Sequence, residues 1–149
     1  MSDESLQTYT MTIRILPDHV DENGHANNVE YVKWMQEIAI RHADHVGCSA
    51  ATREVGGSWY IRSHNIVYRT PAFLNDEIAV ETRVGDLKTS RSTRTYRFVR
   101  NADGAIVATA STEWVFVDAS TGRPRIIPPI MASLFGLDDT VPESGNNDR

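Results

Sequence analysis

Residues 24–47 read GHANNVEYVKWMQEIAIRHADHVG, and the fold turns on how they are read. From Val29 there is no Gly or Pro until Gly47. Val32, Met35, Ala39, Ala43 and Val46 recur at steps of three and four, the spacing of one amphipathic helix face. Tyr31, Trp34 and Ile38 widen that face, so the helix is expected to be largely enclosed by other elements. Asn27 or Asn28 is a suitable N-cap, because a short amide oxygen there accepts a free first-turn N–H, and Gly47 offers the left-handed stop. Such a helix spans about 28 Å.

The sequence on either side supplies something to enclose it. Residues 8–16 (TYTMTIRIL) alternate and are rich in β-branched side chains, as a strand with one buried face should be. Four more strands are expected at 58–68, 76–87, 92–100 and 105–117, each bounded by turn signals. Asn101-Ala102-Asp103-Gly104 is an Asp-Gly hairpin turn, and residues 85–91 read as a polar connection. Residues 48–57 are small, polar and glycine-containing, and read as a mobile connection. Consecutive strands joined by short turns pair antiparallel. An eleven-residue strand reaches about 35 Å, near the helix length, so one curved sheet of about five strands can wrap the helix in an α+β domain. The domain is expected over 8–136, with a short apolar turn of helix at Ile130, Met131, Leu134 and Phe135. Residues 1–7 read as a frayed tail, and 137–149 as an acidic, disordered one.

Bulk properties narrow the function. The chain has 149 residues, 40% of them hydrophobic, which is one domain's length with enough apolar surface for a substantial core. Lysines and arginines total 15 against 20 acidic residues, so no basic stripe is available to displace counterions from nucleic acid. The single cysteine, Cys48, excludes an intramolecular disulfide and a cysteine-only metal site. Without a run of membrane-spanning length or a signal segment, the expectation is a cytoplasmic protein with no membrane span.

Chemistry concentrates just before the helix. Asp18, His19, Asp21, Glu22 and His25 crowd a glycine-containing loop at its N-terminus, where backbone N–H groups and the dipole favour negative charge. Such a loop can hold a carboxylate beside donors aimed at a developing oxyanion. The same residues also suit ordinary loop and capping roles.

The string Asp21-Glu22-Asn23-Gly24-His25-Ala26-Asn27-Asn28-Val29-Glu30-Tyr31 resembles the Asp-x-x-Gly-His-x-Asn-Asn-x-x-Tyr signature of hot-dog-fold acyl-CoA thioesterases of the 4-hydroxybenzoyl-CoA thioesterase type. Tyr68-Arg69-Thr70-Pro71-Ala72 and Asn75-Asp76-Glu77 are similar to later segments of that family. Asp103-Gly104, Ala108 to Val117, Thr121-Gly122-Arg123-Pro124 and Pro128 follow in order, so the resemblance covers residues 8–135. The chain departs from it at His19, where members often carry a second acidic residue, and at Asn75, where the turn usually has Gly.

The resemblance implies a hot-dog fold and hydrolysis of an acyl-CoA to a free acid and CoA. It implies no cofactor, since coenzyme A is part of the substrate, and a homodimer or homotetramer with the acyl and pantetheine groups between subunits. Asp21 is the candidate carboxylate, as general base on a water or as nucleophile through a mixed anhydride. The backbone N–H of Asn28 is the candidate oxyanion donor, and His25 either orients a water or substrate or braces the loop. Tyr31 and Trp34, with Trp59 and Tyr60, are candidates by size for the substrate channel, and His64 joins them as a candidate contact, or as a satisfied strand histidine. Arg69, with Arg62, Lys88 and Arg91, is a candidate for the coenzyme phosphates. Glu37 reads as a solvated surface residue. His42, Asp44 and His45 do not place three ligands on one face, so no metal is expected. A thioesterase acting on acyl carrier protein, a hot-dog hydratase and a non-catalytic acyl-CoA-binding module are the alternatives.

Overall fold

The computed structural model describes residues 4–137. In chain order they form α1 (Glu4–Gln7), β1 (Thr8–Arg14), a 3-10 turn (Pro17–His19), α2 (Asn28–Val46), α3 (Cys48–Glu54), β2 (Gly57–Tyr68), β3 (Glu77–Lys88), β4 (Arg91–Arg100), β5 (Ile106–Asp118) and α4 (Ile130–Leu134). The strands make one antiparallel sheet in the order β1-β3-β4-β5-β2. Strict alternation gives the sheet one buried face: β3 turns Ile78, Val80, Thr82 and Val84 inward, and β4 turns Ser92, Arg94, Tyr96 and Phe98 inward. That face packs on α2, which buries Tyr31, Trp34, Met35, Ile38, Ala39 and His42.

The helix begins and ends as its terminal residues dictate. The Asn27 side chain accepts a hydrogen bond from the Val29 N–H at 3.1 Å, and Gly47 stops the helix at φ 89°. Its buried stripe is rotated from the expected one. His42 lies fully buried where Ala43 and Val46 are only half-buried, because Leu6 and Arg94 satisfy both of its ring nitrogens.

Three expectations are corrected. Residues 48–54 form α3 rather than a mobile connection. Cys48 and Thr52 are buried there, the Cys48 thiol 3.6 Å from Met131 Sδ, and Trp59 Nε1 donates to Thr52 Oγ1 at 3.1 Å. Residues 85–88 continue β3, and the connection to β4 shrinks to Thr89 and Ser90. Gly85 marks a register shift between Val84 and Asp86, a bulge rather than a turn. Leu6 and Gln7 are tied down rather than frayed, since the Leu6 carbonyl accepts from His42 and Gln7 Nε2 donates to the Val84 carbonyl at 2.9 Å. Residues 1–3, and the expected acidic tail from 138 onward, lie outside the described residues. The apolar turn at 130–135 is α4, with Met131 and Phe135 buried.

Among the described residues the interior has two apolar clusters. One gathers Tyr31, Trp34, Met35 and Ile38 with Ile78, Val80, Phe98 and Val107, and the other gathers Cys48, Val84, Phe116, Ile127, Met131 and Phe135. His42, Thr82, Arg94 and Thr112 are buried polar residues outside both clusters. Among the described residues, no helix is long and apolar enough to cross a membrane.

Candidate active site

The loop before α2 is held by its own residues. Asp21 Oδ1 accepts from the backbone N–H of Asn23 at 2.9 Å and of His25 at 3.3 Å, and the Asp21 N–H donates to the His25 carbonyl at 2.9 Å. Gly24 sits at φ 79°, a conformation that a residue with a Cβ adopts only under strain. His19 Nδ1 accepts the Leu16 N–H at 2.9 Å, and its carbonyl accepts the Asn27 N–H at 2.8 Å. Where the family pattern offers a second acid, this chain therefore has a histidine that braces the loop. Asp18 is exposed in the 3-10 turn.

A second segment docks against this loop. The Ala26 N–H donates to the Ala72 carbonyl at 2.8 Å, and His25 pairs with Phe73, its ring edge-on to the phenyl at 5.1 Å. Arg100 holds the segment from behind, donating to the Pro71 carbonyl at 2.9 Å while pairing with Asp76 and Asp103. Between loop and segment lies a pocket of about 250 Å³, lined by Asp21, His25, Ala26, Asn28, Tyr31, Tyr68, Arg69, Thr70 and Pro71.

The first-turn amides of α2 have different fates. Asn27 N–H goes to His19, Val29 N–H to the Asn27 side chain, and Glu30 N–H to the Asn27 carbonyl at 2.9 Å. Asn28 N–H has no acceptor among the described residues. A helix N-terminus thus presents one unpaired N–H on a residue that lines the same pocket as the Asp21 carboxylate.

All three candidate catalytic residues, Asp21, His25 and Asn28, therefore share one pocket, with Tyr31 and Arg69. Trp34 does not line it. That indole is buried beneath, edge-on to Tyr31 at 5.3 Å and to His19 at 5.2 Å. His64 lies four residues up β2 from Tyr68, bonded through Nδ1 to Thr112 Oγ1 at 2.8 Å, and burial lowers its pKa. Of the four basic candidates, Arg62 and Arg91 both pair with Glu113, Lys88 is exposed at the end of β3, and Arg69 alone lines the pocket. Glu37 pairs with Arg41 on the surface at 2.7 Å. No group of metal-binding side chains occurs among the described residues.

Tyr68 is the pocket residue that sequence reasoning passed over. It stacks edge-on to Tyr31 at 5.2 Å, its hydroxyl reaches the Asn28 carbonyl only at 3.5 Å, and burial raises its pKa. Burial, with Tyr68 beside it, pushes Tyr31 up to about 12, so both phenols stay neutral across the physiological range. The signal lay in the segment Tyr68–Ala72, whose place beside the loop only the folded chain reveals.

Comparison with known proteins agrees with this architecture. Residues 15–135 match the thioesterase-like superfamily. No curated protein matches the chain by sequence. Among solved structures, a 1,4-dihydroxy-2-naphthoyl-CoA thioesterase from Synechocystis is similar with a TM-score of 0.77 and 15% identity, over 86% of this chain and 95% of that one. The protein SAV2348 from Staphylococcus aureus, in complex with CoA, is similar with a TM-score of 0.78 and 19% identity, over 86% of this chain and 81% of that one. An acyl-ACP thioesterase from Bacteroides thetaiotaomicron gives 0.78 and 22% identity over 85% of this chain, which spans only 52% of that longer protein. These likenesses establish the shared fold, the hot-dog arrangement of a curved sheet around a long helix.

Proposed function

The chain belongs to the thioesterase-like superfamily and is a thioester hydrolase, and from that premise we propose that it hydrolyses an acyl-CoA at the pocket between Asp21 and the start of α2. The observation that carries this reading is the unpaired Asn28 N–H at a helix N-terminus, on the same pocket as a carboxylate. Thioester hydrolysis needs little else. Its thiolate leaves readily, with a thiol pKa of about 8.5 on the cysteine scale, so no strong general acid is required.

In this reading the thioester carbonyl oxygen approaches the Asn28 N–H, which stabilises the tetrahedral oxyanion as charge develops on it. Two backbone donors fix Asp21 Oδ1, leaving Oδ2 without a partner among the described residues. Asp21 then acts either as general base, taking a proton from the attacking water, or as nucleophile, forming an anhydride that water opens. His25 is held by Phe73 and by its own backbone bonds to Asp21, and so sets the position of Asp21. Arg69, at the pocket and without an acidic partner among the described residues, is suited to a coenzyme phosphate. The loop signature supports a place in the 4-hydroxybenzoyl-CoA thioesterase type, and the neighbour in complex with CoA supports a CoA thioester.

The functional unit in this proposal is a homodimer or homotetramer. Among the described residues β2 is an unpaired sheet edge, with Tyr60, Val67 and Tyr68 all exposed along it. Pairing of that edge across a two-fold axis would remove it and enclose the pocket lined by Tyr68.

The test is thiol release from acetyl-, hexanoyl-, decanoyl-, palmitoyl- and benzoyl-CoA by the wild type and Asp21→Asn. One or more of these thioesters should be turned over, and the variant should lose at least about a hundredfold, the scale of a positioned acid–base group. A wild type that binds these thioesters and hydrolyses none would overturn the acyl-CoA assignment in favour of a carrier-protein thioester or a binding module.

A further inference from the structure

A second cavity, of about 300 Å³, opens near the other end of α2. Its walls are mostly apolar, with Ala39 and Ala43 from the helix and Trp59, Val84 and Phe135 facing them. It begins eleven residues beyond Asn28, about 16 Å along the helix axis. The packed rings of Tyr31, Trp34 and Phe98 lie on the stretch of helix between it and the proposed reaction pocket.

One charged group in this lining lacks the counter-charge its burial calls for among the described residues. Arg94 is 5% exposed, and burial lowers its pKa only to about 10, so it remains a cation at neutral pH. Both of its hydrogen bonds leave from Nη1, to His42 Nδ1 at 2.9 Å and to Thr82 Oγ1 at 3.1 Å. The Nε–Nη2 edge, the fork that takes a carboxylate in two parallel bonds, has no protein partner among the described residues, and no acidic side chain pairs with Arg94. A buried cation without a counter-charge costs several kcal/mol by rough reckoning. The Phe135 ring, 5.8 Å from the guanidinium, offsets only part of that.

Trp114 also lines the cavity, but its Nε1 is fully buried and presents no surface to it. Trp114 and Thr112 partly offset the upward push that burial gives the Tyr96 phenol, so that hydroxyl neighbours the indole, yet not in hydrogen-bond geometry. Ser92 adds a hydroxyl to the lining. A charged donor edge, with no anion to receive it and an apolar chamber alongside, makes a complementary surface for one chemistry.

We propose that this cavity binds a small monocarboxylic acid, its carboxylate on the Nε–Nη2 edge of Arg94, its apolar body between Ala39, Ala43 and Trp59. The volume is at the low end for a ligand pocket, which suits a medium-chain or monocyclic acid and excludes a whole coenzyme. Where the hydrolysis reading holds, and this step alone rests on it, the ligand is of the class the reaction releases, and product acid acts back on the enzyme from a separate site.

The test measures binding, so it does not depend on turnover. Octanoate and octan-1-ol are titrated against the full chain by tryptophan fluorescence and by the indole ¹H–¹⁵N resonance of Trp114. Octanoate should bind at least about tenfold more tightly than the alcohol and shift that resonance. Ala43→Leu, which fills the chamber, should weaken both ligands at least about tenfold, and Arg94→Gln should bring octanoate down to the alcohol. Should Arg94→Gln fail to fold, the wild-type resonance shift and Ala43→Leu still decide. Equal binding of acid and alcohol, undiminished binding to Ala43→Leu, or no saturable binding at millimolar octanoate would overturn the proposal. Octanoate should also inhibit thiol release by the wild type and not by Ala43→Leu. Absence of any turnover without octanoate would count against the hydrolysis reading alone.

Discussion

Acid should weaken this fold through His42. Its ring is fully buried, with Nε2 donating to the Leu6 carbonyl at 2.6 Å and Nδ1 accepting from Arg94 at 2.9 Å. That arrangement requires one neutral tautomer, since a proton on Nδ1 would face the guanidinium. Burial first, then Arg94 and His45, lower the pKa from 6.5 to about 4, against the opposing pull of the Leu6 carbonyl. Tyr9 and Phe135, the rings packed on His42, bring no charge at acid pH. A folded-state pKa below the unfolded one means that the unfolded chain binds the proton first. The stability is then whole above about pH 6.5, falls as pH drops, and is lost by about pH 4. At about 1.4 kcal/mol per pKa unit, the loss amounts to about 3 kcal/mol. Urea unfolding of the wild type and His42→Gln at pH 7, 5.5 and 4 measures it, because glutamine can keep both bonds and does not titrate. His64, also lowered by burial, titrates in both proteins and cancels in the difference. Parallel stability curves for the two proteins would refute the reasoning.

Two smaller predictions follow from the backbone. Asn27→Ala removes the side chain that caps the Val29 N–H and should cost about 1 kcal/mol, read as a lower urea midpoint with an unchanged slope. Gly57→Ala places a Cβ into the buried Phe116 ring and should destabilise by about 1–3 kcal/mol, measured by thermal unfolding.

What could be read from the sequence was local. The helix declared itself through its period, and the loop residues Asp21, His25 and Asn28 fall within one short segment, so a single stretch of chain carried both the central element and most of the candidate site. The misreadings involved distant partners. His42 sits in the buried stripe because Leu6 and Arg94, 36 and 52 residues away, satisfy it, and no periodic pattern encodes those bonds. Helix α3 has seven residues, too few to show a period, and holds to the fold through Trp59 and Met131. Gly85 carries a turn signal but sits in a bulge, since the strand pairing resumes at Asp86 opposite Thr93. Tyr68 entered the pocket through sheet pairing and Ala26–Ala72 docking, both long-range.

The same accounting of backbone groups yields a way to test an amide that side-chain replacement cannot reach. Asn28 is the first residue of α2, the position where proline is best tolerated because its missing N–H has no helical acceptor. Asn27 before it has φ −69° and ψ 140°, the extended conformation that a following proline requires. Asn28→Pro should therefore delete the N–H while leaving the helix in place, whereas Asn28→Ala removes only the side chain. Loss of one oxyanion donor costs about 10²–10³ in kcat. On the Proposed function reading, Asn28→Pro should fall by that factor with a thermal midpoint close to the wild type's, and Asn28→Ala should retain most of its kcat. A folded Asn28→Pro with undiminished kcat would show that the oxyanion is stabilised elsewhere. Equal losses in the two variants would place the effect in the asparagine side chain instead, and the amide would then have no part in the chemistry.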